Sequence, residues 1–166
     1  MTDLILGQVL CYTGDPFQQG LDAARHLPEG AVAVEAGRIA AVGPARELRA
    51  RYPQARLHDH GRKLISAGFV DAHVHYPQTA IIASWGKRLI DWLNTYTFPE
   101  EMRFADPAYA DEIATRYLDL VIARGTTTVC SYATIHPGSV DAIFTAAQKR
   151  GMRLYTGKTC MDRNAP

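Results

Sequence analysis

Cysteine is scarce in this sequence. The 166 residues include three, Cys11, Cys130 and Cys160, and no Cys-x-x-Cys pair. That spacing excludes a cysteine zinc ribbon. An odd, scattered set also makes a poor disulfide framework and points to a reducing compartment. An excess of one charge is lacking too. The formal net charge is +1, and basic residues such as Arg46, Arg49 and Arg51 are scattered. This argues against nucleic acid or an anionic membrane surface as the main partner. No apolar run approaches the roughly 20 residues needed to span a bilayer. The opening MTDLILGQVLCYTG has no basic residue ahead of its apolar stretch, so it does not read as a secretion signal. A cytoplasmic protein is the expectation. Internal repeats and low-complexity segments are missing as well, which excludes a solenoid or a linker-like chain.

What is present is an ordinary globular composition, 47% hydrophobic and 21% charged. The length suits one domain or a piece of a larger one. The first third reads as strands. DLILGQVLCY is apolar and β-tending, and GAVAVEAGRIAAVGP reads as a hairpin turning at Ala36-Gly37-Arg38. PARELRARYP reads as a short surface helix or coil. ARLHDHGRKLISAGFVDAHVH offers one or two further strands around Gly61.

Beyond His75 the rhythm becomes strand, helix, strand, helix, strand. Pro107 to Arg124 is predicted as a helix with Asp106 as N-cap and Gly125 closing it. TTTVCSYA follows as a strand. SVDAIFTAAQKRG is a second helix, with Ser139 as its expected cap and Gly151 at its end, and MRLYTGKTC is a third strand. Alternation of this kind implies a parallel sheet with right-handed crossovers, whose sites form at the C-terminal ends of the strands. The segments after His75, Tyr132 and Thr159 should therefore share one face. Tyr76 to Ala105 is long for a strand-to-helix connection. Leu89, Ile90, Trp92, Leu93 and Tyr96 suggest a short amphipathic helix within it, either a lid or simple packing.

His73 and His75 stand two apart in the apolar strand FVDAHVH. Residues i and i+2 of a strand point to one face, so the chain presents two imidazoles side by side. Imidazoles suit zinc, iron, copper or nickel, and a catalytic zinc usually takes three protein ligands. The pair therefore predicts partners elsewhere. The alternative is two polar residues on a wet edge. Asp71 shares the histidine face and either orients a ligand or bonds local backbone. His58 and His60 lie in the polar LHDHG and read as a surface turn. His136 follows the second strand and approaches the same mouth, and His26 has no special context. Cys160 has no base partner in sequence, so a structural role is expected.

SAGFVDAHVH resembles the first barrel strand of the amidohydrolase superfamily, whose pattern is Pro-Gly-Phe-Val-Asp-x-His-x-His. Ala67 stands where that pattern has proline. VAVEAGRIAAVG looks like the small β-sandwich preceding that barrel, and RGTTTV is similar to the second strand of the deaminase branch. HVHYPQ, LIDWLNTYTFPEEMRF, TTTVCSYATIHP and GKTCMDRN resemble the guanine deaminase family over essentially the whole chain.

The resemblance implies an α/β fold. Residues 1–64 would be the N-terminal portion of a composite β-sandwich. Residues 65–166 would be the first three βα units of a TIM barrel, well short of the roughly 250 residues of a complete one. The implied activity is hydrolytic deamination of guanine to xanthine and ammonia by a zinc-activated water, in purine catabolism. One zinc per subunit is implied, with iron as the second choice. His73 and His75 match the metal ligands. Gln78 matches the purine-binding glutamine, with His75, Tyr76 and Pro77 beside the ring, and Cys160 to Asn164 would shape the mouth. In this family two further histidines, an aspartate and a glutamate acid/base lie further along. The chain is thus expected to be an N-terminal fragment, inactive alone and homodimeric when full length. Two other readings remain open. One is a sister amidohydrolase acting on a pterin, an 8-oxopurine or a triazine. The other is a non-catalytic α/β module.

Overall fold

Alternation decides the first strand. In β1 (Thr2–Tyr12), Leu4 and Leu6 are buried on one face. Across the antiparallel partner β2 (Ala24–Glu35), Ala33 and Ala31 sit opposite them. These four side chains and Leu48 of helix α2 (Ala45–Arg51) form the core of this part of the chain. In this computed structural model, residues 1–162 are described. The chain divides into two compact units, Met1–Ala67 and Gly68–Pro166.

In the first unit, β3 (Arg38–Pro44) and β4 (Arg56–Ser66) complete a four-stranded mixed sheet in the order β3-β2-β1-β4. The expected hairpin is β2–β3. Its turn uses positive φ at Ala36 (49°) and Gly37 (74°), the geometry that matches the twist of paired strands. A one-turn helix that the sequence did not announce, α1 (Pro16–Gln19), is capped by Asp15, whose carboxylate accepts from Phe17 N at 2.9 Å. The described strands of Met1–Ala67 form one sheet.

The second unit holds a parallel sheet in the order β5-β6-β7: β5 (Phe69–His75), β6 (Thr126–Tyr132) and β7 (Arg153–Gly157). Helix α5 (Pro107–Ile122) begins on Asp106, whose side chain accepts from Ala108 N at 2.9 Å. Helix α6 (Pro137–Arg150) ends on Gly151 at φ 63°. Ile113, Ala114, Tyr117 and Leu118 of α5 pack with Ile143 and Ala146 of α6 over Val129 of β6, forming one core. Among the described residues no helix is long and apolar enough to cross a membrane.

The connection from Tyr76 to Ala105 holds the expected helical stretch, divided into short elements. It runs as a 3-10 turn (Tyr76–Ile81), helix α3 (Leu89–Trp92), a π turn (Leu93–Thr97), helix α4 (Phe98–Met102) and a 3-10 turn (Arg103–Ala105). Pro99 explains the π turn. It has no N–H for the carbonyl four residues back, so the ladder widens just before it. Leu89 and Ile90, expected on a packed face, are more than half exposed.

Ser139 is not the cap of α6. His136 occupies that position and Pro137 takes the first helical one. The Ser139 hydroxyl is buried and ties the β6–α6 loop instead. It accepts from Thr134 N at 3.1 Å and from Thr134 Oγ1 at 3.0 Å, and donates to His136 O at 2.7 Å. Ser139→Ala should leave a buried amide unpaired and cost about 1–3 kcal/mol. Urea denaturation measures this; an unchanged midpoint would contradict it.

Candidate metal and ligand site

β5 positions the histidine pair. Val74 points into the core of the second unit, so His73 and His75 emerge on the opposite face. Their ring centroids lie 5.4 Å apart at an interplanar angle of 62°. Tyr132, at the end of β6, is paired in register with His75. Its ring stacks on His75 at 4.7 Å and meets His73 edge-on at 5.3 Å. The sequence reading overlooked Tyr132 as a site residue. Its place at the C-terminal end of the second strand was the available signal.

Burial, and then the proximity of His73, hold the His75 pKa below the ordinary histidine value. A neutral imidazole is the form that can donate a lone pair to a metal. Asp71 accepts from the backbone N of His73 at 3.2 Å, so its observed role is to fix the strand at the first histidine. Among the described residues no group of three metal-ligating side chains converges. The two imidazoles fit part of a nitrogen-rich coordination set.

Past His75 the chain turns inward. Tyr76 and Pro77 are both fully buried. The Tyr76 backbone N donates to Ser131 Oγ at 3.1 Å, and its hydroxyl donates to Ser139 O at 2.5 Å. Its ring packs edge-on against Phe104 and tilted against Tyr117. Both side chains are enclosed by the core of the second unit. Gln78 is half-buried, and its Nε2 donates to Glu101 Oε1 at 3.5 Å.

Gln78 and His75 line a cavity of about 340 Å³ together with Val74, Ser84, Trp92 and Tyr117. Trp92 Nε1 donates to Ser84 O at 3.1 Å, pinning α3 to the loop before it. The ends of β6 and β7 also meet. Thr159 donates from Oγ1 to Ala133 O at 2.6 Å and from N to Thr134 O at 3.1 Å.

The segments after the three strands therefore converge at one end of this sheet. Cys160 is exposed there, and residues 163–166, with Asn164, lie outside the described residues. His136 Nε2 is buried without a hydrogen-bond partner among the described residues. In the first unit, His58 is tied to Asp3 at 2.6 Å. A larger groove there, about 830 Å³, is lined by Arg46, Arg49, Arg62, Glu29 and Asp59 and by no histidine or cysteine.

Comparison with known proteins agrees with this geometry. A model described as a bacterial imidazolonepropionase-like composite domain matches residues 30–55. The guanine deaminase of Escherichia coli is 40% identical over 145 residues, covering 87% of this chain and 33% of that protein. A solved guanine deaminase from Bradyrhizobium japonicum superimposes with a TM-score of 0.92 at 35% identity, over 100% of this chain and 36% of that one. One from C. acetobutylicum with guanine bound in its active site gives 0.85 at 30% identity, over 100% of this chain and 38% of that one. The chain thus spans about a third of the length of these relatives. The amidohydrolase family model matches residues 64–165, the stretch that carries the histidine pair and all three parallel strands, and the chain belongs to the amidohydrolase family.

Proposed function

We propose that this chain is the N-terminal part of a metal-dependent guanine deaminase that converts guanine to xanthine and ammonia. The observation that carries the reading is the pair of imidazoles on one face of β5 with Gln78 three residues on, at the end of the sheet where the loops converge. The likeness to guanine deaminases over the whole chain supports the choice of substrate. On this reading His73 and His75 hold a zinc or iron ion. When bound, such a metal supplies Lewis acidity that makes water acidic enough to attack at neutral pH.

The chain's own residues do the rest of the positioning. Gln78 carries one acceptor and two donor hydrogens, a match for a purine edge that presents both kinds of group. Tyr132 forms a flat wall against both imidazoles and fixes their orientation. We assign Tyr76 and Pro77 the role of anchors that set where Gln78 emerges, in place of direct contact. The remaining metal ligands and the acid/base would come from sequence outside this chain, so residues 1–166 alone would be inactive. Edge strands support a partial barrel. Among the described residues β5 and β7 each have a single neighbour, and Phe69, Val70 and Tyr155 on them expose 63%, 67% and 61% of their surface. The four-stranded sheet would be part of a β-sandwich.

Two outcomes follow for the full-length protein. His73→Ala or His75→Ala should each remove most of the bound zinc or iron, measured by elemental analysis. Each should also lower kcat/KM for guanine by about 10³-fold or more, as expected when a metal's coordination shell is broken. Retention of both metal and activity would sink the assignment. In substrate profiling, guanine should be deaminated with the highest kcat/KM among guanine, 8-oxoguanine, aminopterins and aminotriazines. Faster turnover of another ring would move the protein to a sister activity.

A further inference from the structure

Glu101 carries an unspent carboxylate beside Gln78. Its neighbour Glu100 is fully engaged: Arg103 Nη1 donates to Glu100 Oε2 at 3.0 Å, the Tyr109 hydroxyl donates to Glu100 Oε1, and the Arg103 guanidinium also lies 3.7 Å over the Tyr109 ring. Glu101 has no salt bridge among the described residues, and Gln78 Nε2, at 3.5 Å, is its side-chain hydrogen-bond donor there. The π turn comes immediately before α4, whose second residue is Pro99. π turns of this kind concentrate at functional sites. Thr97, which closes the turn, is 2% exposed and its hydroxyl has no hydrogen-bond partner among the described residues. An unsatisfied buried hydroxyl is a cost that packing alone does not explain.

We propose that Glu101 is a positioning residue that fixes the sense of the Gln78 amide and thereby the orientation in which the purine binds. This rests on the reading of Gln78 as the substrate glutamine. An ionised carboxylate only accepts hydrogen bonds, so it selects the amide's NH₂ side. Gln78 then keeps Oε1 and one N–H for the ligand, in a fixed arrangement. An untethered amide can turn over, exchanging acceptor and donor, and would accept a ring in the reversed sense. The 3.5 Å separation is long for a free hydrogen bond, and contacts of this kind tighten when the ligand is in place. Burial raises the Glu101 pKa and the Gln78 contact opposes that shift, consistent with a carboxylate held against a neutral donor.

A double-mutant cycle in the full-length enzyme tests this, with guanine as substrate and Tm recorded for each variant. Glu101→Ala should raise KM about tenfold, the size of one hydrogen bond, with kcat changed less than about threefold. Glu101→Gln keeps an acceptor oxygen but adds donors that can pair with the amide in either sense, so it should keep wild-type kcat and Tm and recover only part of the loss in KM. In a Gln78→Ala background, Glu101→Ala should add less than about twofold. Additive effects would overturn the proposal, as would a fall in kcat and Tm that Glu101→Gln does not rescue. If Gln78→Ala raises KM and Glu101→Ala does not, the proposal falls while the substrate reading stands. If Gln78→Ala leaves KM unchanged, both fall.

Discussion

The arrangement around the histidine pair depends on where Tyr76 is buried. It follows His75 directly, and it is held by three different parts of the second unit. Its amide reaches β6 through Ser131, its hydroxyl reaches α6 through Ser139, and its ring lies between Phe104 and Tyr117. Burial of an aromatic ring of this size contributes several kcal/mol. Once that ring is in place, period two puts Val74 in the core and both histidines outside it. Gln78 must then emerge just beyond. One buried side chain thus fixes the positions of its neighbours on either side.

The same ring joins the site to the long connection that follows. Phe104 packs against Tyr76 and Tyr109 packs against Phe104. Tyr109 shares Glu100 with Arg103, and burial together with that carboxylate pushes its pKa up to about 12. A chain of packed and hydrogen-bonded groups therefore runs from the strand end to α4. It leaves Glu101, the next residue, beside Gln78. The exposed Arg88–Asp91 pair at the start of α3 adds little to this, since surface ion pairs are worth under about 1 kcal/mol.

Much of the second unit was legible in the sequence because local rules decide it. Asp106-Pro107 opens α5 and Gly151 closes α6 through backbone chemistry that short stretches carry. The His-x-His spacing gave a shared face for the same reason. What the sequence did not reveal depends on contacts distant in the chain. Tyr76 looked like a ligand neighbour because its burial needs Ser131 and Ser139, 55 and 63 residues away. Ser139 looked like a cap because its true partner, Thr134, lies across a loop whose path depends on β6. Tyr132 and Glu101 reach the site only through sheet register and a proline-induced π turn. In the first unit the hairpin was plain, whereas α1 is too short to leave a periodic signal.

In the proposed function His73 and His75 share one catalytic metal. Anomalous diffraction from crystals of the full-length protein, recorded at the zinc and iron absorption edges, tests it most directly. A single peak is expected, with an imidazole nitrogen of each histidine at about 2.0–2.2 Å. A metal bound away from β5, or two unligated imidazoles in an enzyme that still deaminates guanine, would contradict it.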